Sequence, residues 1–134
     1  MHKLFYICLF LLGMFIQNDV VFAQTQLEMN QESCNDFAQT DLELNKYYKM
    51  VLNTYKNDPL FISKFIISQR KWLVFRDAYL ESIYPNTQKN FYGSVNPMCR
   101  CTALTDVTLV RLKQIKMWIN GIEEGNVCRG SIKV

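Results

Sequence analysis

Along residues 32–120 the apolar positions recur at steps of three and four, which predicts three helices rather than strands. The first, residues 32–55, carries Phe37, Leu44, Tyr48, Val51 and Tyr55 on one stripe. Asn57-Asp58-Pro59 ends it and opens the second, with Asp58 as N-cap and Pro59 at the first helical position. The second helix reaches Tyr84, where Pro85 stops it. Its stripe reads Ile62, Phe65, Gln69, Trp72, Arg76, Tyr79, Ile83, so an amide and a guanidinium stand one heptad apart among apolar residues. The third helix, residues 102–120, places Leu104, Thr108, Arg111, Ile115 and Trp118 together and ends at Gly121. The expected fold is all-α, an up-down-up bundle of three helices whose first and third members start at the same end. Between the second and third lies a long connection, residues 85–98, containing Pro85, Gly93 and Pro97. After Gly121 the tail is expected to be irregular.

The segment before this bundle has a different pattern. Lys3 precedes the apolar run "LFYICLFLLGMFI" (4–16), and Val21-Phe22-Ala23 supplies the small-x-small pattern of a signal-peptidase site. Such a short run with a cleavage site behind it is expected to be a signal peptide over residues 1–23, not a membrane span. The helical domain is then residues 24–134, secreted or periplasmic, with no lipidation cysteine at its start. Loss of the leader removes Lys3 and Asp19 together, so the formal charge stays at +3.

It also removes Cys8 and His2, and both losses change the chemistry that is available. Cys34, Cys99, Cys101 and Cys128 remain, an even number in an oxidising compartment, which suggests two disulfides. Three pairings are open. Cys99 and Cys101 are too close to bond each other comfortably, so each is expected to reach Cys34 or Cys128, tying the tail to the bundle. With no histidine left, Ser-His-Asp and Cys-His catalysis and a histidine-ligated zinc site are excluded. No cofactor is expected.

The polar residues in the seams need partners, since a guanidinium buried alone costs several kcal/mol. Arg111 repeats in the third helix what Gln69 and Arg76 do in the second. Asp41 and Asn45, one turn apart beside the first stripe, are the nearest expected partners, and Asp77 is placed to serve the third helix. A satisfied interhelical network is the commoner arrangement, and a polar ligand pocket the alternative.

Four segments, "TQLEMNQESC", "DLELNKYY", "QRKWLVFRDA" and "TLVRLKQI", occur in the order found in the LprI-like lysozyme-inhibitor family. The resemblance spans residues 25–119. Its most specific part joins Gln69, Trp72, Phe75, Arg76 and Asp77, with Asn45 and Tyr48 upstream and Thr108 and Arg111 downstream; Gly93-Ser94 resembles the family's glycine-rich stretch. It implies a small helical domain, exported or envelope-associated, that binds lysozyme without catalysis. Many members carry a cysteine just after Arg-Asp-Ala, where this chain has Tyr79-Leu80, so the family's disulfide pattern does not transfer.

A cleft-occluding inhibitor of basic lysozymes is expected to present acidic surface. Glu28, Glu32 and Asp36 lie in a stretch, residues 24–45, that has no Lys or Arg. Phe91, Tyr92 and Ser94 of the long connection are the other expected contacts. The alternative function is a general envelope interaction module without lysozyme inhibition, using Lys46, Lys49, Lys56, Lys64, Arg70 and Lys71 against anionic lipid or polymer. Catalysis by Asp77 and Glu81, one turn apart, lacks an evident proton donor. An enzyme is not expected, and neither is nucleic-acid binding.

Overall fold

In the computed structural model, the backbone of residues 2–133 and the side chains of residues 25–133 are described. Three helices account for most of them: α1 (His2–Thr54), α2 (Pro59–Ile83) and α3 (Asn96–Asn120). No strand occurs among the described residues. The side chains of the expected leader, residues 1–23, lie outside that description. No helix of the described residues is long and apolar enough to cross a membrane.

The turn between α1 and α2 forms as its sequence demands. The Asp58 side chain accepts from the Phe61 amide at 2.9 Å, and Pro59 occupies the first turn, where its missing N–H costs nothing. At the other end of α2 the Tyr84 amide donates to Leu80 before Pro85. α3 begins at Asn96, six residues earlier than its stripe suggests, because Pro97 is tolerated in a first turn. Gly121, at φ +77°, closes it by donating to the Met117 carbonyl.

Leu44, Val51, Tyr55, Phe65, Leu112 and Ile115 form the buried core. α1 and α3 pack closely along their length, whereas α2 stands off and reaches them through large side chains. Phe65 does most of this bridging, stacked on Tyr48 at 5.5 Å and edge-on to Trp118 at 5.4 Å. Contacts advance together along α1 and α3, from Asn30–Ser94 through Cys34–Cys101 to Tyr55–Trp118. Between α1 and α2 they run in opposite senses, Asp41 meeting Arg76 and Tyr55 meeting Phe61.

Two expectations fail here. Tyr79 and Ile83 are exposed, and Leu80 is buried instead. A strict seven-residue repeat drifts around a straight helix by roughly 20° per heptad. Tyr79, two heptads past the buried Phe65, has lagged by roughly 40° and Leu80 occupies the face that meets the bundle, while Ile83 is the last residue of α2.

The second concerns the cysteines. Cys34 and Cys101 are bonded, their Cα atoms 4.9 Å apart, but Cys99 and Cys128 are free. The tail folds back on the far end of α3, where Ser131 accepts from Trp118 Nε1 at 3.1 Å and Lys133 lies over the Tyr55 ring. Cys99 is 19 residues earlier on α3 than Trp118, about 28 Å along the axis, well beyond disulfide reach of a tail docked there. The tail is therefore held by those side-chain contacts and not by Cys128. The Cys34–Cys101 bond closes a loop of 67 residues and, on the chain-entropy argument, is worth about 4 kcal/mol.

Candidate functional site

The family-motif residues gather into two separate polar nodes. In the first, Arg76 donates from NH1 to Asp41 at 3.2 Å and from Nε to Asp77 at 3.0 Å. Its guanidinium also lies over Trp72 at 5.5 Å and Phe37 at 5.7 Å. Asn45 donates to the Asp41 carboxylate and carbonyl, holding that acid in place from one turn away. Asp77 serves Arg76 on its own helix, not α3 as the spacing suggests.

The second node centres on Arg111, which is only 8% exposed and meets no carboxylate among the described residues. Nε donates to Gln69 at 3.0 Å, NH2 to Ser68 at 3.1 Å and NH1 to Gln114 at 3.3 Å. The expected partners Asp41 and Asn45 belong to the first node instead, since α2 brings Gln69 nearer to α3 and Arg76 nearer to α1. Burial lowers the Arg111 pKa below the ordinary arginine value. Thr108, one turn earlier, is fully buried, and its hydroxyl has no hydrogen-bond partner. Tyr48 is half-buried in the aromatic bridge and takes part in neither node.

The acidic stripe is fully at the surface. Glu28, Glu32 and Asp36 are exposed and make no ion pair among the described residues. Asn30, Ser33, Cys34 and Phe37 of the same helix face α3 and α2. At 3.6 residues per turn Glu28 and Glu32 lie roughly 150–170° from the centre of those four, on the outer side of α1, and Asp36 lies roughly 110° away, on its flank. Glu43, further along, is engaged with Lys116 at 2.7 Å, a contact that raises the lysine's pKa.

The long connection is ordered by its own side chains. Tyr92 stands edge-on to Tyr84 and Phe91, and its hydroxyl accepts from the Asn86 amide at 3.0 Å. The Ser94 carbonyl accepts from Asn30 Nδ2, fastening the loop to α1. Tyr92 and the Ser94 carbonyl are thus occupied in holding the loop, and Phe91, 58% exposed, is its outward aromatic group. The Asn30–Ser94 bond places the loop beside the part of α1 that carries the acidic stripe.

Sequence reasoning missed a second exposed aromatic pair. Phe75 (55% exposed) and Tyr79 (42%) stack at 5.9 Å and line a groove of about 400 Å³ with Ala103, Asp106, Val107 and Val110 of α3. A signal was present in "WLVF" (72–75): four consecutive apolar residues cannot all face one side of a helix. Asp77 and Glu81 are exposed, and Asp77 is committed to Arg76.

The model of the lysozyme-inhibitor LprI family matches residues 19–115. The chain belongs to the LprI lysozyme-inhibitor family. No curated protein and no solved structure matches it. The LprI match takes in both polar nodes, the acidic stripe, the long connection and the Cys34–Cys101 bond. It stops before Trp118 and the tail, so the free Cys128 lies outside the part that defines the family.

Proposed function

We propose that this LprI family member is an exported, non-catalytic inhibitor that docks on lysozyme and occludes its glycan cleft. Membership over residues 19–115 is the observation that carries the reading. The signal-peptide pattern of residues 1–23 supports export to the periplasm or the medium. The order of contacts along the helices supports the up-down-up arrangement, which leaves the outer face of α1 free for a partner. That face carries Glu28 and Glu32, with Asp36 on its flank, all unpaired among the described residues, against a basic enzyme, and Phe91 is the next candidate contact. Both polar nodes act as internal struts: every cation in them already has its acceptors within the fold.

Clearance of a bacterial cell-wall suspension by chicken-type and goose-type lysozymes tests this. Inhibition should saturate near one to one. Reversing the three acids to lysine should weaken it by about tenfold or more at low salt, because exposed charges act mainly by steering and are screened as salt rises. Inhibition untouched by the reversals would move the contact to the loop.

A second reading, a general envelope interaction module, is favoured by one observation. Lys46, Lys49, Lys56, Lys64, Arg70 and Lys71 are all exposed, and none pairs with an acid among the described residues. Salt-sensitive binding to an anionic polymer, with no effect on either lysozyme, would establish it.

A further inference from the structure

The concave side of the long connection forms a cleft that neither polar node nor the acidic stripe uses. It encloses about 720 Å³ between the end of α2, the loop and the first turns of α3. That volume falls within the range of small-ligand sites, which span about 300–1,000 Å³. Its lining combines three ring systems, those of Tyr84, Phe91 and Tyr92, with four carboxamides, those of Asn86, Gln88, Asn90 and Asn96. Charge is nearly balanced: Glu81 is set against Lys89 and Arg100, and Arg100 already lies over the Tyr84 ring at 5.4 Å.

The ring system is preorganised. Tyr92 packs edge-on to Tyr84 at 5.4 Å and to Phe91 at 4.9 Å, and its hydroxyl is fixed by the Asn86 amide. Asn86 Oδ1 in turn accepts from the Gln88 amide at 2.8 Å. Asn90 holds the left-handed conformation at φ +64°, which asparagine adopts at lower cost than most residues. An aromatic surface of 58% exposure is therefore presented by a braced loop at no further ordering cost. At the start of α3, Asn96 Oδ1 has no hydrogen-bond partner, so the carboxamide gains a bond if it turns toward a donor in the cleft.

Aromatic faces beside several carboxamides, without a concentration of one charge, suit a ligand with an apolar C–H face and a rim of hydroxyl or acetamido groups. We propose that this cleft is a saccharide site for one or two uncharged sugar rings, stacked on Phe91 and hydrogen-bonded by Asn86, Gln88 and Asn96. Carboxamides both donate and accept, as hydroxyl groups do, so each ring substituent finds a partner whichever way it points. A phosphate or a polyanion would instead require a cluster of free cations, and Arg100 is engaged while Glu81 opposes Lys89. The inference does not rest on lysozyme binding and is tested without it.

The test is titration of the purified oxidised protein with maltose and with N,N′-diacetylchitobiose, followed through backbone amide NMR shifts. Shifts confined to residues 84–100 are expected, saturating with at least one sugar in the range of about 1–20 mM, as a small open site allows. Phe91→Ala should weaken that binding about tenfold while leaving the rest of the spectrum unchanged, since the ring is exposed and outside the core. Gln88→Ala, also at the surface, should weaken it severalfold. Absence of saturable shifts with both sugars overturns the proposal, as do shifts outside residues 84–100 or affinities equal in the wild type and Phe91→Ala. Binding of inorganic phosphate in preference to either sugar also overturns it, by assigning the cleft to anions.

Discussion

The Arg111 node allows a quantitative test of whether the family-motif residues brace the bundle. Gln69 (6% exposed) supplies Arg111 with its one fully buried acceptor, at 3.0 Å. Gln69→Leu leaves the guanidinium with Ser68 and Gln114 only, and a hydrogen bond to a charged group is worth about 1.5–3 kcal/mol, so a loss of about 2 kcal/mol is expected. Arg111→Met strands the Gln69 amide, costing about 1–3 kcal/mol, but removes the desolvation of a cation that has no carboxylate partner. A net loss of about 1 kcal/mol follows. In the double variant neither orphan exists, and apolar replacement of a buried charged group is often neutral or stabilising. The double variant should therefore unfold close to the wild type, with a coupling of about 2–3 kcal/mol. Urea unfolding of the oxidised protein reads this directly, since m-values of about 1–3 kcal/mol/M turn 2 kcal/mol into a midpoint shift of about 1 M. Additive single effects would refute the node as a unit. Single variants of unchanged stability that no longer inhibit lysozyme would make Gln69 and Arg111 binding residues instead of struts.

Other consequences are as specific. Thr108→Val removes a fully buried hydroxyl without a partner at nearly constant volume, and should raise stability by about 1 kcal/mol in the same urea assay. Cys34→Ser should cost about 4 kcal/mol, and in the native protein Cys128, exposed, should react with a thiol reagent before the half-buried Cys99. The Tyr84 phenol is raised above 10.0, first by burial and then by Cys99, with Arg100 acting to lower it. The folded state thus favours the neutral phenol, so Tyr84's contribution to stability is present below pH 10 and is lost as pH rises through its folded value. Arg100→Gln should move that titration higher, as read by phenolate absorbance.

Much of the fold was legible because local rules and packing agreed. Asp58-Pro59, Pro85 and Gly121 each place a helix end by backbone chemistry that no tertiary contact overrides. The failures share a physical cause, which is three-dimensional direction. A seven-residue count places Tyr79 inside and hides Leu80, because the drift of a straight helix reaches roughly 40° over the two heptads from Phe65. The same error concealed the Phe75–Tyr79 groove. The identities of the polar seam residues were readable, and so was Asp41 as a guanidinium's partner, but not that it meets Arg76 while Arg111 turns to Gln69. Which acid meets which arginine depends on how far α2 stands from each neighbour, and sequence spacing carries no such distance. Cysteine parity implied two disulfides, yet only Cys34 and Cys101 are brought together, since the tail docks at the opposite end of α3. The acidic stripe was legible as composition, and its outward direction followed only once Asn30, Ser33 and Cys34 were seen against α3.

Cell-wall clearance by lysozyme in the presence of the oxidised protein tests the central claim most directly. Inhibition should saturate near one to one, be lost progressively as salt rises, and weaken about tenfold or more when Glu28, Glu32 and Asp36 are reversed. No inhibition of either chicken-type or goose-type lysozyme at large molar excess would contradict it.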